Sequence, residues 1–280
     1  MAYSLAPVSL SSGILVFQNT GYGGFPPSFS TGIVSAWFCM PASNSAFTLN
    51  IGGSLGGLVL TFTTSQITVG LYANGGALVG QATATPPFPL TATRYNFLLS
   101  YDTVANNIQI YINNEIVAGT VVWFASVPIG IDTFESGWGF STSNTALGVS
   151  DYWAGVTPSF IDLTAENNRR KFITILNAPV DLGPVGEYPT GSQPAVFLHQ
   201  PAGSSNPDDF AINLGSGGTY QISTGTITFP APNQCTVPPA PFIPPIALTT
   251  YNLQPITGVC VPPCCIEFDC GTRAKAITGW

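Results

Sequence analysis

Short β-branched or aromatic runs alternate along this chain with clusters of Gly, Ser, Asn and Pro. Ile33 to Phe38, Ala46 to Ile51, Gly57 to Thr63 and Gln66 to Tyr72 each read as a strand bounded by turn residues. Turn signals recur about every 8–12 residues, the spacing of an all-β sandwich. Asn74-Gly75-Gly76 is a tight turn, because Asn and Gly tolerate positive φ. Gly52 to Gly57 is a second hairpin signal. The clearest unit runs from Tyr95 to Gly119. Tyr95 to Tyr101 predicts a strand, Asp102 to Asn107 a polar turn, and Ile108 to Ile112 a strand of period two. Asn113-Asn114 then turns the chain into Ile116-Val117-Ala118, giving a hairpin and a return with one buried face.

One stretch departs from the strand pattern. Thr164 to Ile173 predicts a helix of two or three turns, with Thr164 capping its start, Glu166 in its first turn, and Arg169, Arg170 and Lys171 near its negative end. After Pro230 the pattern stops. Ten prolines fall between Pro230 and Pro263. That density removes backbone donors and favours extended polyproline II. We therefore divide the chain into a β-sandwich domain, residues 1–228, and an extended Pro/Cys-rich arm, residues 229–280.

Charge narrows the function classes. Only 7% of the 280 residues are charged, against about 25% in an average domain, which excludes coiled coils, helical bundles and charge-driven disorder. Six basic residues against 13 acidic ones leave no footprint for phosphate, so no nucleic-acid partner is expected. No Asp, Glu, Lys, Arg or His occurs from Met1 to Thr93, or from Phe210 to Ile266. Depletion of charge is a mark of interface cores, and it suits a subunit of a larger assembly as well as a bland polar surface. No basic leader with an apolar run is visible at the start, and no apolar run is long enough to span a bilayer, so membrane insertion is not expected.

Two groups of residues carry a resemblance. Tyr95 to Asp102 followed by Ile108 to Asn113 resembles the central hairpin of concanavalin A-like (laminin G-like) jelly rolls. Ile161 to Thr164, Asn168 to Ile173, Pro179 to Gly183, Pro189 to Gly191 and Pro194 to Leu198 follow one another closely. With Asn213 to Gly218, they resemble a module found in virion proteins of tailed bacteriophages and in prophages. The likeness covers roughly residues 1–228, and the arm lies outside it. It implies an all-β, two-sheet concanavalin A-like jelly-roll sandwich. It also implies a structural or glycan-facing role at the particle surface, assembled in the host cytoplasm. The first expectation is a non-enzymatic capsid decoration protein whose partners are other virion subunits, copies of itself included. The alternative is a neck, tail or fibre component that recognises a host-surface glycan.

No catalytic constellation stands out. His199 is the single histidine, at a strand end in Phe197-Leu198-His199-Gln200-Pro201, and reads as structural. Asp208-Asp209 after Asn206-Pro207 reads as a turn rather than a carboxylate pair. No cofactor is expected, but laminin G-like modules often hold calcium on a loop rim, and Asp102, Asp132 and Asp151 are the acids that would contribute. Aromatic faces stack on sugar rings. Among the aromatics near turns, Trp123, Trp138, Tyr152 and Trp153 are the glycan-stacking candidates, with packing in the sandwich as the competing role. Cys39, in a strand-like run, is expected to be a buried thiol. Cys235, Cys260, Cys264, Cys265 and Cys270 all fall in the arm. Their spacing lacks paired zinc knuckles, so they are disulfide candidates. Five cannot pair among themselves, which leaves a bond to a partner chain, a bond to Cys39, or a free thiol.

Overall fold

The computed structural model describes residues 8–10, 13–19, 28–39, 46–51, 57–86, 90, 94–130, 137–142, 147–201, 204–217, 220–224 and 226–228. The chain divides into two compact units, Met1–Pro241 and Phe242–Trp280. All described residues belong to the first. The arm from residue 229, with Cys235, Cys260, Cys264, Cys265 and Cys270, lies outside the described residues.

In chain order the strands are β1 (Val8–Leu10), β2 (Gly13–Asn19), β3 (Ser28–Phe29), β4 (Thr31–Cys39), β5 (Ala46–Ile51) and β6 (Gly57–Thr63). Then come β7 (Ile67–Tyr72), β8 (Leu78–Ala84), β9 (Arg94–Asp102), β10 (Asn107–Ile112), β11 (Glu115–Ile116) and β12 (Gly119–Trp123). The last are β13 (Ile129–Gly130), β14 (Gly137–Thr142), β15 (Leu147–Val156), β16 (Val196–Leu198), β17 (Tyr220–Thr224) and β18 (Ile227–Thr228). Sheet A has the order β11-β10-β9-β4-β15-β1-β18, with β16 also on β15; sheet B has the order β12-β8-β7-β6-β5-β14-β2-β17. All named pairings within the two sheets are antiparallel. The predicted runs fall on β4, β5, β6, β7, β9 and β10, and the Asn74-Gly75-Gly76 turn joins β7 to β8 with both glycines at positive φ.

Sheet B obeys simple alternation. Leu58, Leu60 and Phe62 point inward from β6, while Val59, Thr61 and Thr63 are only half-buried. Phe62 crosses the inter-sheet core to meet Phe38 and Phe97 of sheet A, with ring centroids 4.9 Å and 5.0 Å apart. Sheet A behaves differently. β9 was expected to bury one face, yet its first eight residues are all buried. The reason is a third layer. Leu163, Phe172, Ile173, Leu182 and Phe197 lie on the outer face of sheet A and pack with Ile33, Trp37, Leu98, Tyr111 and Trp153. A sheet covered on both sides has no need for polar alternation in its central strands.

The covering layer holds the one predicted helix, which is shorter than expected. Only Glu166–Arg169 forms a helical turn, and its cap position is Ala165, with no side-chain cap. Thr164 is committed elsewhere. Its backbone N–H and hydroxyl both donate to Asp162 Oδ1, at 2.9 and 2.7 Å. Gln109 Nε2 on β10 donates to the same oxygen, while Gln109 Oε1 accepts the Leu163 N–H. These bonds, the Thr164 side chain's first, hold the Asp162 carboxyl below the usual range. Side-chain competition of this kind explains why a sequence-level cap signal gave a turn.

Two further features qualify the sequence reading. Cys39 is buried, as expected, but it is disulfide-bonded rather than a free thiol. Asn113 begins the β10–β11 turn at φ 48°, buried, and its Oδ1 accepts the Asn96 N–H at 2.8 Å. Asn113→Ala is expected to cost about 2–4 kcal/mol, from the left-handed backbone and an orphaned buried donor. Asn113→Gly should recover the backbone part only. Urea denaturation of both variants checks this, and equal losses would remove the backbone argument.

Candidate functional site

The outer face of sheet B carries an aligned row of hydroxyls. Thr48 pairs with Thr61, Thr61 with Thr68, Thr68 with Thr83, and Thr83 with Thr120. Ser141 on β14 stands opposite Thr48 and extends the row by register. In each of β6, β7 and β8 the threonine lies between two inward residues, which sends it outward: Leu60 and Phe62, Ile67 and Val69, Ala82 and Ala84. Strands stand about 4.7–4.9 Å apart, so the row repeats at close to the length of one sugar ring. Thr48 and Thr61 hydroxyls approach each other at 3.4 Å. Thr48, Thr61, Thr68 and Thr83 are half-buried and Thr120 is exposed.

A flanking row supplies shape. Gly70 lies on the same face as Thr68, and the half-buried Tyr72 ring lies against it, 2.7 Å from where a Gly70 Cβ would stand. Gln81 is exposed beside it on β8. No charged residue occurs in β5 to β8 or in β12. Among the described residues the result is an uncharged face of hydroxyls, one amide and one aromatic ring, with Val59 and Val122 in the flanking row. It suits a ligand recognised by hydrogen bonds and ring stacking rather than by charge.

A second polar group is internal. On one side, β15 pairs with β1 through Val149 and then with β16 from Tyr152. On the other, its register with β4 slips between Ser150 and Tyr152. Asp151 occupies that slip at φ 43° and is 2% exposed. Its Oδ1 is hydrogen-bonded to His199 Nδ1 just beyond β16. Its Oδ2 has no hydrogen-bond partner among the described residues. Burial pushes the Asp151 carboxyl up; the His199 bond, the His199 charge and Arg94 oppose this, and Asp181 adds to it. Burial likewise lowers the Arg94 guanidinium, with Asp151 opposing. His199 stacks on Phe197 at 5.8 Å and 15°. A histidine locked between a carboxylate and a ring, on a side chain only 18% exposed, braces the junction where β15 changes neighbours.

The stacking candidates scatter. Tyr152 is 0% and Trp153 1% exposed, because β15 is covered on both sides, so neither ring offers a face to a sugar. Trp153 instead donates its Nε1–H to Gly186 O at 2.7 Å. Trp123, on the edge strand β12, lies across Gly80 of β8 and is half-buried. Trp138 lies on β14 between Phe17 and Ile51, and its side chain lies outside the described residues. Of the acids named for calcium, Asp102 and Asp151 serve separate parts of the fold. Asp102 closes the turn after β9 by accepting the N–H groups of Val104 and Ala105, both at 2.9 Å. Asp151 is in the β15 junction, and Asp132 lies outside the described residues. Among the described residues no three His, Cys, Asp or Glu side chains cluster as a metal site.

No protein-family model matches this chain, and no curated protein matches it. Solved structures are similar to it in part. A Bacteroides ovatus protein proposed to bind carbohydrate is 16% identical, with a TM-score of 0.50, over 82% of this chain and 61% of its own. The binding domain of botulinum neurotoxin DC, solved in complex with SialylT, is 13% identical over 60% of this chain and 43% of its own, with a TM-score of 0.41. A botulinum neurotoxin type C structure, from work on its entry through two ganglioside molecules, is 12% identical over 57% and 40%, with a TM-score of 0.39. The chain thus spans less than two thirds of each of these three structures. Strand content, layering and the Bacteroides ovatus likeness together define the class: the chain is an all-β, two-sheet jelly-roll sandwich.

Proposed function

We propose that this chain is a non-enzymatic glycan-binding module, and that a neutral saccharide lies on the outer face of sheet B. The observation that carries the reading is the aligned Thr48-Thr61-Thr68-Thr83-Thr120 row beside Tyr72. The fold likeness to the Bacteroides ovatus protein proposed to bind carbohydrate supports it. In the same proposal the module serves receptor recognition on a tailed-phage particle, in a neck, tail or fibre. That role moves ahead of capsid decoration, because the site and the fold neighbour both speak for a sugar. Mass spectrometry of separated capsids and tails tests the location.

A glycan array probed with the full chain tests binding. Tyr72→Ala and Thr68→Val/Thr83→Val are expected to weaken the best hit at least tenfold, about 1.4 kcal/mol, with thermal melting unchanged. Trp153→Ala is not a usable control, since it reaches the core. An array without hits, or affinity indifferent to these substitutions, removes sheet B as the site.

A further inference from the structure

β12 ends sheet B and, among the described residues, is paired on one side only, with β8. Edge strands in monomers are blunted by charge, proline, bulges or cover. Among the described residues β12 shows none of these. Its register with β8 runs from Gly119 to Trp123 without a slip. No charged residue occurs between Glu115 and Asp132. Val121 is 40%, Val122 44%, Phe124 58% and Val127 41% exposed. Apolar side chains thus stand out at a bare ladder edge, a template for another strand.

We propose that β12 pairs with β12 of a second copy, antiparallel, about a two-fold axis at Val121. Two features select a second copy. In this register Val121 meets Val121, Thr120 meets Val122, and Trp123 meets Gly119. The Trp–Gly pair repeats one the strand already makes, since Trp123 lies across Gly80 in β8. The second feature is charge. The chain carries a net charge of −7, so two copies repel wherever acids meet, and this edge brings no acid opposite another. A two-fold contact closes on itself and gives a dimer rather than a filament. The inference does not depend on the glycan reading.

The test is sedimentation velocity of the full chain over a concentration series, without and with reductant. The wild type is expected to sediment as twice 29.3 kDa in both conditions. Val121→Lys and, independently, Thr120→Lys should weaken association at least 100-fold. Ser65→Lys, at the exposed β6–β7 turn, should leave the dimer intact. Far-ultraviolet circular dichroism confirms that each variant is folded. A variant that fails to fold is set aside, and the exposed Thr120 position then decides. A wild type that stays monomeric overturns the proposal. So does a dimer that survives both lysines, or one that dissociates on reduction alone.

Discussion

Trp153→Ala is expected to cost about 3–5 kcal/mol, the range for emptying a fully buried large aromatic site. The ring is 1% exposed, meets Phe172 edge-on at 5.4 Å and lies over Gly155. Its Nε1–H is the donor to Gly186 O at 2.7 Å, deep in the covering layer. Losing the ring opens a cavity between sheet A and that layer, and losing the N–H leaves a buried carbonyl without its donor. Trp153→Phe separates the two effects, because it keeps most of the apolar volume and removes only the donor; about 1–3 kcal/mol is expected. Urea denaturation gives the magnitudes. Limited proteolysis adds the location, since cleavage should fall first between residues 157 and 195. Were Trp153 a sugar-stacking residue, its loss would spare stability and remove glycan binding. That outcome would sink the packing account.

The β class was legible because sheet B is a simple two-faced sheet. β5 and β6 appear at their predicted bounds, since one face meets the core and the other meets water. What failed to read was whatever depends on a third layer. β9 and β4 are buried on both faces, so their alternation is lost. Trp153 looked like a turn aromatic because the cover that buries it comes mostly from chain 157–195, which holds no strand, and Tyr152 because its burial between the sheets depends on strand register. The threonine row was hidden for another reason. Thr48, Thr61, Thr68, Thr83 and Thr120 are far apart in sequence, and only strand register aligns them. A trace of it is visible in hindsight: Phe47-Thr48-Leu49, Leu60-Thr61-Phe62, Ile67-Thr68-Val69 and Ala82-Thr83-Ala84 place one threonine between two apolar residues in four successive sheet-B strands. Asp151 and His199 were each noted separately, the one as a calcium candidate and the other as structural. Nothing in their spacing announces a pair, because β16 reaches β15 only after the whole cover has been laid down.

Asp151→Ala is expected to cost about 2–4 kcal/mol, and Asp151→Asn far less, within about 1 kcal/mol of the wild type at neutral pH. Alanine loses the His199 bond and keeps a side chain at φ 43°, where only Gly, Asn and Asp sit comfortably. Asparagine tolerates that backbone, offers His199 an oxygen of the same shape, and buries no charge. The pH dependence has a definite sign. Burial raises the Asp151 carboxyl in the folded chain, so between the ordinary aspartate pKa, about 3.9, and that raised value the folded state holds more protons than the unfolded one. Stability contributed by this group is therefore full below the ordinary value and falls as pH rises through the window. His199 and Arg94 limit the fall, and Asp181 enlarges it. Subtracting the pH–stability curve of Asp151→Asn from that of the wild type isolates the group, and the difference should decline with rising pH. A difference that climbs with pH would mean that His199 and Arg94 outweigh burial. The junction would then be held by an ion pair rather than by a carboxyl kept partly neutral.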